Sequence, residues 1–425
     1  MTLRSPAAAH EGCCSDYRVS RRSILQGALA VGGTMAVTQM FGDALMQSTF
    51  AGVKGGNTLV VLSLRGGIDG LGVVVPHGDP GYAKARPTTA VPTASLVCKD
   101  ATFGLHPKMA PLAKYWASGE LAAVQAVGLA VPNRSHFSAI EEVEDAAPGS
   151  TVRSGWLNRM IGQGSTAGAM DGVQLGQAFP TTAMSGDRSV VAANRLEDLK
   201  LPWVEDTPAL RYSSLATAWG GATGPLARGA NEALTISRTA GGQIAAVPAS
   251  TAAYPEVWNA APFAEPLRSA ARLIRADLGT DVIAIDAGSW DYHTNYGTIS
   301  WGNMQSSIDG LATSLAAFLD DLGELRSRVT VVTISEFGRR VTENGSQGFD
   351  HGWGNMMLVA GAGVKGGKYY ASWPGLDAAS LNEGDLKVTT DYRNVFGEIV
   401  RRRFPDRSLT ELFPSLSYQP VGIMG

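Results

Sequence analysis

Five short runs of consecutive apolar residues punctuate this chain: Thr58–Leu64, Leu121–Val127, Val282–Ile285, Val329–Ile334 and Met357–Ala360. None alternates with polar residues, so each reads as a strand covered on both faces rather than one lying on a wet surface. Between them lie segments with helical spacing. Leu267, Ala270, Ala271, Ile274 and Leu278 share one face ahead of Gly279. Ile308, Leu311, Leu315, Phe318, Leu319 and Leu322 share another ahead of Gly323, and Pro107–Ser118 reads as a helix closed by Gly119. Helices alternating with buried strands predict an α/β fold, a central, largely parallel sheet sandwiched between helices.

The N-terminus reads as a targeting segment. Arg21-Arg22 precede a short, mildly apolar run, Gly27–Val37, which is too short to span a bilayer. The order resembles a twin-arginine export signal, with cleavage near Thr49-Phe50-Ala51 or at Ala44. The expected organisation is therefore a signal over residues 1–51 and an α/β domain over 52–425. Residues 195–260, rich in small residues with weak periodicity, are expected as short helices and loops forming a cap insertion. The expected location is periplasmic or extracellular, reached as a folded bacterial protein through the twin-arginine translocase, with no stable membrane span in the mature chain. Residues 52–425 carry 31 basic and 35 acidic residues, which excludes an electrostatic footprint for nucleic acid. Of Cys13, Cys14 and Cys98, only Cys98 lies in the mature segment, so an intramolecular disulfide is excluded there.

Open α/β sheets collect ligands at the carboxyl ends of their strands, and the polar residues expected there are few. They are Asp69 after the first run, Ser135-His136 after the second, Asp291 and His293 after the third, Glu336 after the fourth, and Asp350-His351 before the fifth. Carboxylates and imidazoles near a hydroxyl suit a divalent-cation hydrolase. Each also has a plainer role: Asp69 can cap a turn, Ser135 can cap a helix over Phe137–Glu144, and Glu336 can pair with an arginine. His77 and His106 read as structural. No Gly-x-Gly-x-x-Gly follows the first run and no cysteine cluster exists, which argues against a redox enzyme.

Several segments taken together resemble the DUF1501 family. They are Leu64–Gly70, Arg134-Ser135-His136-Phe137, Gly288–His293, Ser335–Arg340, Asp350-His351-Gly352, Gly363–Gly367 and Thr390–Arg393. The resemblance spans about residues 57–405 and implies an alkaline-phosphatase-like fold with a site for one or two divalent cations (Zn, Mg, Mn or Ca). It implies Ser135 as nucleophile and Asp69, Asp291, His293, Glu336 and His351 as metal ligands; beside these, the strand-end position of Asp350 makes it a further candidate ligand, and Arg65, Arg134 or Arg339 are candidate clamps for an anion. Glu336-Phe337 stands where that superfamily carries an Asp-His pair, which leaves one imidazole unaccounted for. The sulfatase Cys/Ser-x-Pro-x-Arg pattern is absent around Ser135. The expected activity is hydrolysis of phosphate or related esters on a small-molecule or polymeric anionic substrate. The alternative is an inactive exported binding or assembly protein on the same fold.

Overall fold

The computed structural model describes Ala44–Leu45 and residues 55–425, apart from 151–152, 165–167 and 200–207. The Arg21-Arg22 segment and the expected 49–51 cleavage site lie outside the described residues. Seven strands form the body of a ten-stranded sheet: β1 Thr58–Ser63, β2 Leu121–Gly128, β3 Gly172–Leu175, β4 Val191–Ala193, β5 Val282–Asp286, β6 Val329–Ile334 and β7 Asn355–Gly361. Their order is β4-β3-β5-β1-β6-β7-β2, with two-residue pieces at the edges. All five apolar runs form strands.

Period-two geometry sorts β1 into two cores. Val60 and Leu62 join one with Phe263, Leu267, Leu315 and Phe318, while Leu59 and Val61 join the other with Trp156, Phe396 and Ile399. Helices α1 His136–Asp145, α2 Trp156–Gly162, α3 Pro208–Gly220, α4 Pro225–Ala246, α5 Ala261–Ala276, α6 Asn303–Leu322 and α7 Tyr392–Arg403 flank the sheet. Helix α6 stops at Gly323 as expected, but α5 ends earlier than Gly279, with Asp277 in the left-handed region at φ 50°. The expected 107–118 helix is split into a 3-10 turn, Pro107–Leu112, and an α turn, Ala113–Ala117. Pro111 lacks the N–H that a continuous α ladder needs.

Of these seven strands, one is reversed. β3, β4, β5, β1 and β6 run parallel, β7 is antiparallel to both β6 and β2, and β2 therefore points with the rest. The consequence is functional. The carboxyl ends of β1, β2, β5 and β6 and the amino end of β7 share one edge, so His351 reaches the same rim although it precedes its strand.

The 195–260 region is more ordered than the sequence suggested. It carries α3 and the 22-residue α4, whose buried face is Ala230, Ala233, Ile236, Ala240 and Ile244. Helix α4 packs against α5, where the Arg272 guanidinium donates to the Ile244 carbonyl at 3.1 Å. A face made largely of alanine gives weak contrast in hydropathy, which hides its period. Among the described residues no helix is long and apolar enough to cross a membrane.

Candidate metal centre

At the shared rim, close approach of loops begins with two glycines. Gly66 (φ 107°) and Gly67 (φ 59°) turn the chain after β1. A Cβ on Gly66 would lie 2.6 Å from the Trp290 nitrogen, and one on Gly67 would lie 2.4 Å from Phe337 Cε2. Glycine is required twice over, by conformation and by space. The turn lets the loops after β1, β5 and β6 touch.

Arg339 ties those loops together. Its side chain is 2% exposed. Nε donates to the Gly67 carbonyl at 2.5 Å and Nη1 to Phe349 O at 2.9 Å, while Nη2 reaches Gly66 O and Asp291 Oδ1. A planar fork with five donors can meet such divergent acceptors, and an ammonium cannot.

Against this anchor stand Asp291 and three imidazoles. His351 Nε2 lies 3.0 Å from His136 Nε2, 3.0 Å from His293 Nε2 and 3.2 Å from Asp291 Oδ1. His293 Nε2 is 3.0 Å from Asp291 Oδ1, and His136 Nε2 is 3.5 Å from Asp291 Oδ2. The donor atoms of His136, Asp291 and His351 all lie within 4.8 Å of one another.

The opposite ring nitrogens are each held by an acceptor. His136 Nδ1 meets Glu336 Oε1 at 2.7 Å, His293 Nδ1 meets Asp350 Oδ1 at 3.1 Å, and His351 Nδ1 meets the Arg134 carbonyl at 2.9 Å. Each partner accepts, so each Nδ1 donates, and the three Nε2 atoms are turned towards one another and towards Asp291. Nε2 atoms 3.0 Å apart need a shared proton or a cation between them. Imidazoles oriented through their second nitrogen by carboxylate or carbonyl are how proteins build metal ligands. The donor set therefore fits a divalent cation.

Electrostatics agree. Burial pushes the Asp291 carboxyl up, but Arg339, His293 and the His351 hydrogen bond outweigh it and hold it at about 2. Burial and the charges of Arg339 and His136 lower the His351 pKa, against its bonds to Arg134 and Asp291. Both groups stay in their ligand forms at neutral pH.

Of the residues expected from sequence, Asp291, His293 and His351 are brought together. Asp350 and Glu336 stand one step behind, orienting His293 and His136. The Glu336 oxygens are already met by His136, the Gly66 N–H at 2.9 Å and the Ser335 hydroxyl at 3.0 Å. Asp69 is placed elsewhere. It is 2% exposed and takes both terminal nitrogens of Arg86, at 2.5 and 2.9 Å, plus the Tyr296 hydroxyl at 2.6 Å. Its carboxylate is spent on that pair, so it is not free to serve as a cation ligand. Ser135 is exposed at the start of α1 and its side chain caps no backbone N–H. His136, placed at the rim with Ser135 by the sequence but not counted there among the metal ligands, also joins the group. The usable signal was its position, one residue into the helix that follows β2.

The arginines expected as anion clamps are all paired. Arg134 Nη2 meets Asp385 at 2.6 Å, and Arg65 lies between Glu144 and Asp286, 2.5 Å from the latter. His77 and His106 are structural as expected: His77 Nε2 meets Asp100 O at 3.1 Å, and buried His106 accepts from the Lys108 N–H.

The Arg65 cluster makes a pH prediction. Burial raises the Glu144 pKa from its ordinary 4.5 to about 7, Arg65 opposing and Asp286 reinforcing the shift. The folded chain thus holds this proton more tightly than the unfolded chain. Its stabilising contribution is complete below about pH 4.5 and is lost as pH rises through about 7. Urea midpoints measured at pH 5 and pH 8 should fall more for the wild type than for Glu144→Gln. Equal falls would contradict the assignment.

A family model described as "Protein of unknown function (DUF1501)" matches residues 116–396. No curated protein matches the sequence. Among solved structures, the PsFucS1 sulfatase from Pseudoalteromonas sp. is 11% identical, with a TM-score of 0.39, covering 94% of this chain and 76% of that one. The C-terminal periplasmic domain of EcEptC from Escherichia coli, in complex with Zn, is 9% identical, with a TM-score of 0.34 and coverages of 74% and 76%. The alkaline phosphatase from the Antarctic bacterium TAB5 is 9% identical, with a TM-score of 0.28 and coverages of 74% and 95%.

Proposed function

The chain belongs to the DUF1501 family, and we propose that it is an exported, divalent-cation-dependent hydrolase of phosphate or related esters, acting in the periplasm or outside the cell. The observation that carries the reading is the set of three imidazole Nε2 atoms gathered beside Asp291, each ring held through its other nitrogen. When bound, a cation would polarise the ester oxygen and make the attacking group more acidic.

The residues supply the rest. His136, His293, His351 and Asp291 hold the cation, and Glu336, Asp350 and the Arg134 carbonyl keep the rings turned inward. Ser135 is the proposed nucleophile: it opens α1, where the helix N-terminus favours a developing oxyanion. Arg65 and Arg134 keep about a third of their side chains exposed (33% and 32%), which leaves them able to face an anionic ester at the rim. Arg339 is buried and acts through Asp291 instead.

Their pairing favours a second reading, a protein that binds through a structural cation without turnover. Hydrolysis of chromogenic phosphate monoester, phosphate diester and sulfate ester separates the two. The hydrolase reading expects turnover that disappears on chelation, returns with Mn or Zn, and falls at least ~100-fold in Ser135→Ala. Cation-dependent turnover that survives Ser135→Ala removes the serine from the mechanism. Cation bound without turnover on any ester supports the binding protein.

A further inference from the structure

We infer that Arg134 and Arg340 form a second anion subsite beside the cation centre, so that the substrate is an ester carrying another anionic group next to the one cleaved. The inference rests on the hydrolase reading above and names its substrate class.

A tight turn, residues 382–385, organises the pair. Asn382 and Asp385 exchange both backbone hydrogen bonds, at 3.0 and 2.9 Å, and Glu383 (φ 51°) and Gly384 (φ 88°) both lie in the left-handed region. That conformation is unfavourable for Glu383, and it persists where the surroundings hold it. Arg340 holds it here: its backbone bridges Asp385, and its Nη1 donates to the Glu383 carbonyl. A Cβ on Gly384 would lie 2.8 Å from that nitrogen, so the glycine makes room for the guanidinium. The turn also carries the Asp385 carboxylate, which is 0% exposed. Its Oδ2 takes Arg134 Nε at 2.8 Å and Nη2 at 2.6 Å, and its Oδ1 faces Arg340 Nε at 3.5 Å. One buried carboxylate thus positions two guanidinium groups.

The pair keeps donors to spare. Among the described residues no partner meets Arg134 Nη1 or Arg340 Nη2, and the two side chains remain 32% and 35% exposed. Glu383 lies 3.4 Å from Arg134 Nη2 but is 76% exposed, and a contact so open to water is weak. Asp350, whose carboxyl also feels the Arg340 charge, is engaged by His293 at 3.1 Å and Asn344 at 3.0 Å. Both arginines are tied by their backbones to the cation centre. The Arg134 carbonyl meets His351 Nδ1 at 2.9 Å, and the Arg340 N–H donates to the Asp350 carbonyl at 2.9 Å. An ester held at the centre therefore has its neighbouring group beside the pair. Planar forks with free edges suit a phosphate, sulfate or carboxylate there.

The full chain loaded with Mn(II) is titrated calorimetrically, at low salt, with ethanedisulfonate and with ethanesulfonate. The disulfonate should bind at least ~10-fold more tightly. Arg340→Gln, which keeps a donor for the Glu383 carbonyl, should lose that preference. Glu383→Gln removes only an exposed carboxylate and should increase it, which keeps the test open if Arg340→Gln fails to fold. Equal affinities in the wild type, a preference that survives Arg340→Gln, or one that Glu383→Gln leaves no greater overturns the second subsite. An intact disulfonate preference with no ester turned over overturns the hydrolase reading instead. A wild type that retains no manganese overturns the cation reading, and the subsite's role falls with it.

Discussion

Replacing His351 with alanine should weaken binding of Mn(II) or Co(II) by at least ~100-fold, measured by calorimetric titration of chelator-treated protein. That exceeds the range of about 10- to 100-fold expected for losing an outer partner of a metal ligand. His351 is the hub of the group. Its Nε2 lies within 3.2 Å of the donor atoms of three other residues, and no other imidazole is that central. Its side chain is 25% exposed, so truncation leaves little cavity and the variant should fold. His77→Ala serves as the matched control, since His77 meets only a loop carbonyl. A His351→Ala protein that binds cation within about threefold of wild type would mean that the imidazoles converge for another reason.

The second large effect concerns stability. Arg86→Met should lower the free energy of unfolding by about 3–5 kcal/mol, read from urea denaturation. Arg86 is fully buried, and its forked pair with Asp69 is buried with it. Burial disfavours the Arg86 cation, but the neighbouring Asp69 charge more than offsets this and raises its pKa. Removing the arginine strands a carboxylate in the core, where a lone charge is far costlier than an absent pair. Asp69→Asn/Arg86→Met should therefore recover most of the loss. A single variant as stable as wild type would show that Asp69 is not held as a buried anion. The effect reaches the rim as well. Tyr296, kept protonated by burial and by Asp69, donates to that carboxylate from the segment that carries Asp291 and His293. Loosening this bond should weaken cation binding without touching a ligand.

The strands were legible because each is a continuous apolar run, and such a run declares burial on both faces whatever its direction. Direction itself is not written in it. β7 looks like its neighbours in hydropathy, and only pairing with β6 and β2 reveals that it runs the other way. This reversal is what brings His351, which precedes a strand, to an edge otherwise made by strand ends. Asp69 was misplaced for a related reason. Its partners Arg86 and Tyr296 lie 17 and 227 positions away, and no local pattern shows that they close around it. Glu336 was found but assigned one step too far inward, since the ring it orients, His136, lies 200 residues earlier. His136 itself was visible beside Ser135, a residue with an obvious helix-capping role. Asp291 and His293 share a segment and reached the site together.

The most direct test is an anomalous-difference map from a crystal of the full chain loaded with Mn(II) or Co(II). A single peak is predicted at the sheet rim, about 2.0–2.3 Å from Nε2 of His136, His293 and His351 and from a carboxylate oxygen of Asp291. A rim with no peak, or a peak enclosed by other side chains, would contradict the account.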